Sequence, residues 1–146
     1  MLRLSSALLL VLSGPVTAQP PAWPPDPNYV PPPCDHLYQL YFLPGSVNFD
    51  RRAEAIAEIF GRSHAWLGTR VRLVAWRGAG ANLITRRLVA VRTLLERFHI
   101  PHDRTEVELQ DAGKEYYLRD VISLVEIVPP AEMERRRAAY PSNVVC

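Results

Sequence analysis

Four short stretches of this chain carry side chains that could do chemistry. His99-Ile100-Pro101-His102-Asp103 holds two imidazoles and a carboxylate, the donor types of a metal site. Its H-x-x-H spacing is not a helical i, i+4 pair and lacks the glutamate of a zincin, so turn histidines at a helix end are the simpler reading. Cys34-Asp35-His36 sets a thiol beside a base. Adjacent residues rarely aim at one another, and catalytic partners usually come from distant sequence. Gly78-Ala79-Gly80-Ala81 is too short for a dinucleotide or phosphate loop. No convergent acid, base and nucleophile emerges, so the sequence reads as a binding protein, not an enzyme, with no metal and no cofactor.

The fourth stretch centres on Arg87. Ile84, Leu88, Val91, Leu95 and Phe98 recur at i, i+4, i+7, i+11 and i+14, one narrow apolar stripe of a helix. Arg87 lies about 60° from the centre of that stripe, and Arg86 about 160° away toward solvent. A border arginine can bury its stem and offer a planar fork to a carboxylate. It can equally pair with an acid of its own domain. Trp76 and Arg77 end the strand before this helix and Asn82 opens the helix, so all three flank the same turn. They are the other candidate ligand-binding residues.

Regular elements must hold these positions. Leu37 to Leu43 is rich in aromatics and reads as a strand, closed by Pro44-Gly45-Ser46. Phe49, Ala53, Ile56, Ala57 and Phe60 then follow helical spacing, with Asn48 or Asp50 able to cap the start and Gly61 or Gly68 the end. Arg70 to Trp76 alternates as a strand, and the second helix runs from about Asn82 to His99, stopped by Pro101. Thr105 to Leu109 alternates again, and Val121 to Val128 is an apolar strand suited to the sheet interior. The order is β-α-β-α-β-β. It predicts an α/β fold of the α+β type, a two-layer sandwich with two helices on one face of a mixed sheet of about four strands.

The termini read differently. Arg3, the apolar run Ala7 to Leu12 and the small residues Val16-Thr17-Ala18 make residues 1–18 a secretory signal, cleaved after Ala18. The apolar run is too short to span a bilayer, so the mature chain is expected to hold no transmembrane span. Residues 19–36 hold eight of the 14 prolines and read as a linker. The folded domain is placed at 37–128, and a tail at 129–146 carries Arg135-Arg136-Arg137, read as a solvated helix face. Cys34 and Cys146 are the only thiols. In an oxidising compartment they can pair across almost the whole folded region, a closure worth ~4–5 kcal/mol in the chain-entropy picture. Two free or intermolecular thiols are the other possibility. The net charge of +2 is too small for a protein that neutralises nucleic-acid phosphates. One lysine, Lys114, against a wealth of arginine reads as a compositional skew.

Together, Tyr41 to Ile127 resembles the OmpA-like C-terminal domain, the peptidoglycan-associating module of Gram-negative envelope proteins. That family runs an aromatic first strand, a helix, a second strand, then N-x-x-L-S-x-x-R-A-x-x-V-x-x-Y-L and a G-I-P turn. Here Arg87-Leu88, Val91, Leu95 and His99-Ile100-Pro101 stand at the same offsets from the arginine, and Val125-Glu126-Ile127 ends the last strand as V-E-I does. The resemblance implies a periplasmic protein at the outer membrane or cell wall, with peptidoglycan as ligand and Arg87 on a diaminopimelate carboxylate. The departures touch the same site. The family's aspartate falls near Arg77-Gly78, where there is no acid. The turn into the second helix is several residues shorter, and the last-strand arginine is Leu124. Two functions follow: a module that associates with peptidoglycan through a degenerate site, or the same fold without that ligand, serving as a structural or interaction module for another envelope protein.

Overall fold

A computed structural model describes residues 30–33, 37–65 and 67–140. The segment expected to be a signal, most of the Pro-rich stretch, Cys34 and Cys146 lie outside the described residues. The elements are β1 (Leu37–Tyr41), α1 (Ala53–His64), β2 (Arg70–Arg77), α2 (Ala81–Arg97), β3 (Thr105–Asp111), β4 (Val121–Ile127) and α3 (Pro130–Ala139). Short 3₁₀ turns at His102–Arg104 and Tyr116–Asp120 precede β3 and β4. Among the described residues no helix is long and apolar enough to cross a membrane.

The strands form one mixed sheet in the order β1-β4-β2-β3. β4 runs antiparallel to both neighbours, and β2 and β3 are parallel. The apolar strand read at Val121 to Val128 is thus interior, as its composition requires. Alternation sends Leu40, Val71, Leu73, Ala75, Ile122 and Leu124 to one face, where they meet Ala53, Ala57 and Phe60 of α1 and Ile84, Val91 and Leu95 of α2. Val74 and Ser123 are opposed in register and point to the other face, yet both are buried. The 3₁₀ turn Tyr116–Asp120 contacts β2 and buries Leu118. β3 is an edge strand, and its Glu106 and Glu108 carboxylates are held by Arg72 of β2 at 2.8 and 3.2 Å.

Two sequence expectations about α1 are corrected. The helix begins at Ala53, not Phe49, because Phe49 instead bridges Phe42 and stacks on its ring, with centroids 4.7 Å apart. Asp50 serves this turn by accepting the Arg52 amide. Gly61 does not end the helix. It lies inside it, against Phe98, where an added Cβ would come within 2.5 Å of the Phe98 Cβ. Its missing side chain sets how closely α1 and the end of α2 approach.

The end of α2 explains His99-Ile100-Pro101. His99 adopts φ 65°, the left-handed conformation usual for glycine just past a helix. The Ile100 amide reaches back to the Leu95 carbonyl and the His99 amide to that of Glu96, at 3.1 Å each. Ile100 and Leu95 are both fully buried, completing the apolar contact of a Schellman cap. His99 itself is exposed.

The largest correction concerns the tail. Pro129 and Pro130 do not end the fold. They start α3, with Pro130 at the helix N-terminus, where its missing N–H costs nothing. Nor is Arg135-Arg136-Arg137 wholly a solvated face, since Arg136 is 1% exposed. The reason is a carboxylate on β4, described below.

Candidate functional site

Arg87 is more deeply buried than its stripe neighbour Leu88, at 2% exposure. The border position predicted by the wheel lies under two chain segments, the loop after β1 and the turn before β4. Its Nε donates to the Ser46 carbonyl at 2.7 Å and Nη1 to the Arg119 carbonyl at 2.7 Å. Nη2 donates to Asp120 Oδ1 at 2.6 Å and to the Leu43 carbonyl at 3.3 Å. The guanidinium also sits over the Phe42 ring, 4.7 Å from its centroid. Asp120 is only partly buried, and its Oδ1 accepts the Gly45 amide as well. One side chain of α2 thereby ties residues 43–46 to residues 119–120.

The other predicted site residues are not part of this constellation. Arg77 and Asn82 are exposed, and none of Trp76, Arg77 and Asn82 accepts or donates a hydrogen bond with the Arg87 guanidinium. Trp76 follows Val74 on the sheet face away from α2. Its indole Nε1 is buried without a hydrogen-bond partner among the described residues. Asp120, the acid that engages Arg87, went unnoticed in the sequence. Its one signal is an acidic residue immediately before a strand that pairs with β1.

A second ionic centre lies near the far end of β4. Glu126 faces the helices and is nearly fully buried, as are Arg136 of α3 and His64 of α1. Arg136 grips Glu126 with both terminal nitrogens, at 3.0 and 2.9 Å, and its Nε donates to Glu132 at 3.0 Å. The His64 Nε2 lies 3.5 Å from Glu126, while Nδ1 faces the Phe60 carbonyl at 3.0 Å. The His64 ring stacks on Phe60 and meets Tyr38 edge-on. Burial pushes the Glu126 carboxyl up, but the contacts from His64 and Arg136 outweigh it and hold the group well below the usual carboxylate range. Glu132 is lowered to about 2 by hydrogen bonds from Arg135 and Arg136.

Arg104 repeats the device on a smaller scale. It donates to the carbonyls of His64, Ala65 and Thr69, closing the C-terminal end of α1. Arg87, Arg104 and Arg136 thus each spend a planar guanidinium inside the domain, a geometry that a lysine ammonium cannot match. The arginine skew read from the composition has structural content at these three positions. A groove lies elsewhere, between the start of α1 and α2. It has a volume of about 510 Å³ and is lined by Phe49, Asp50, Glu54, Leu94 and Arg97. The Glu54–Arg97 ion pair lies within it.

No known family pattern matches the sequence, and no curated protein matches it. Among solved structures, the chain is similar to the OmpA-like domain of FopA1 from Francisella tularensis subsp. tularensis SCHU S4. That likeness has 8% sequence identity and a TM-score of 0.49, and covers 63% of this chain and 75% of that one.

Proposed function

We propose that this protein is an exported cell-envelope interaction module, an OmpA-like fold that has turned its ligand arginine inward and associates with another envelope protein instead of gripping peptidoglycan. It is a binding module without catalytic chemistry. The observation that carries this reading is the Arg87 guanidinium, which makes four hydrogen bonds within its own domain at 2% exposure. For Arg87 to hold a diaminopimelate carboxylate it would have to release Asp120 and three backbone carbonyls. No acid stands at Arg77-Gly78 to hold the ammonium of such a ligand. Both losses count against tight peptidoglycan binding, since charged hydrogen bonds contribute roughly 1.5–3 kcal/mol each.

Export follows from the signal at residues 1–18, with the mature chain beginning at Gln19 in the periplasm. A Cys34–Cys146 bridge fits that compartment. The deciding experiment is co-sedimentation of the mature protein with purified diaminopimelate-type sacculi. The protein should stay in the supernatant. Retention that disappears in Arg87→Ala would overturn this reading and restore the peptidoglycan one.

A further inference from the structure

Arg87 is buried, but its hydrogen bond to the Arg119 carbonyl fixes the backbone of a second arginine whose side chain is differently placed. The Arg119 guanidinium lies over the Tyr116 ring, 4.4 Å from its centroid, and has no ion pair among the described residues. Its Nε is buried without a hydrogen-bond partner, like Trp76 Nε1. A side chain at Gly78, two residues beyond Trp76 on β2, would come within 2.7 Å of Arg119 Nε. Gly78 has φ 117°, so the bare backbone there forms the floor on which Arg119 lies.

The outer side of this turn is aromatic and open. Tyr116 is 70% exposed and Tyr117 62%. Of the nearby carboxylates, Asp120 is paired with Arg87, Glu115 is engaged by the Tyr117 hydroxyl at 2.7 Å, and Asp111 stands opposite Arg77 in the β2–β3 register. What remains at the turn is the Arg119 guanidinium, without an ion pair among the described residues, beside two exposed tyrosines. Tyrosine, tryptophan and arginine are the residues most enriched where protein interfaces concentrate their binding energy.

We infer that the turn Tyr116–Asp120, with Arg119 and Tyr116 at its centre and Trp76 and Arg77 at its border, is the docking surface for an acidic segment of a partner protein. The inference rests on the interaction-module reading and names the surface and the charge of the partner. Arg119 supplies the fork for a carboxylate, and the exposed tyrosine faces cover the aliphatic stems around it. Arg87 acts on this surface only through the backbone it holds.

The test uses the mature protein and a blocked hexaglutamate peptide as probe, with blocked hexalysine as control. The readout is the indole N–H resonance of Trp76, identified by its loss in Trp76→Phe. Hexaglutamate should shift that resonance and the amides of residues 116–119, and hexalysine should not. Arg119→Gln should weaken the hexaglutamate titration at least about tenfold. Tyr116→Ala, which keeps the charge, should weaken it less, and both variants should retain the parent's amide spectrum outside the turn. No shift with hexaglutamate, an equal response from hexalysine, or an unchanged titration in Arg119→Gln would overturn the inference. Sacculus retention that disappears in Arg87→Ala would instead overturn the interaction-module reading, so the two failures are separable.

Discussion

β4 joins two arginine–carboxylate centres of different construction. Before its first residue, Arg87 meets Asp120 and three backbone carbonyls at a partly exposed edge. Near its last, Arg136 meets Glu126 and Glu132, with His64 beside them, in a nearly closed site. The first centre holds loops, and most of its acceptors cannot titrate. The second docks a helix onto the sheet through side chains that can. Burial of an ion pair is therefore not one kind of interaction in this fold. Its acceptors decide whether acid can undo it.

Substitutions at the closed centre should separate the two most sharply. Arg136→Ala leaves Glu126 buried without its main partner, a loss that costs about 3–5 kcal/mol. Urea unfolding should register that drop, and amide exchange should show α3 released before the sheet. Little change would mean that His64 alone sustains the carboxylate.

Arg87→Ala should cost somewhat less, about 2–3 kcal/mol, because water can reach Asp120 and the freed loop carbonyls. Arg87→Lys should recover only part of that loss, since an ammonium cannot span Ser46, Arg119 and Asp120 together. Full recovery with lysine would show that charge alone matters there and would erase the distinction between the centres.

Acid should also discriminate. Glu126 and Glu132 both have folded-state pKa values below their ordinary 4.5. Their contribution is complete above about pH 4.5 and is lost as pH falls toward and through the folded values. Thermal midpoints should decline between about pH 5 and pH 2. Glu126→Gln should flatten that decline from a lower starting point, while Arg87→Lys should leave its shape intact.

The smallest effect lies at neither centre and calibrates both. His99 occupies a left-handed position at the end of α2, which costs a side chain roughly 1–2 kcal/mol. His99→Gly should stabilise the domain by up to about 1 kcal/mol in the same urea experiment, after the greater chain freedom of glycine is offset. Destabilisation would indicate that the imidazole makes contacts that offset its backbone strain.

Period and punctuation made most of the sandwich legible. β2, α2 and β4 emerged close to their observed limits because each buries a clean apolar pattern against one layer. The spacing starts α1 too early because Phe49 lies in helical phase with Ala53 and Ile56, while its ring belongs to the Phe42 stack. Gly61 looked like a terminator because sequence cannot show a neighbouring backbone; only the approach of Phe98 reveals its purpose. The helix face read at Arg135-Arg136-Arg137 is present as α3, but its docking is hidden for a related reason. Its buried residue is an arginine, and hydropathy places Arg136 on the outside. The i, i+4 spacing of Glu132 and Arg136 was visible, but their link to Glu126 requires the tertiary fold. The candidate site was half legible. Arg87 stood out by position, yet whether its fork faced a ligand or its own chain depended on Asp120 and the loop carbonyls.

The strand order has a kinetic consequence. β4 comes last in sequence among the strands but lies between β1 and β2. A chain halted at Asp120 can pair β2 with β3, while β1 has no neighbour in the sheet. Closure must wait for residues 121–127, and it then joins segments separated by most of the domain, a slow kind of contact to form. β1 therefore stays without a partner in the sheet until residues 121–127 are in place.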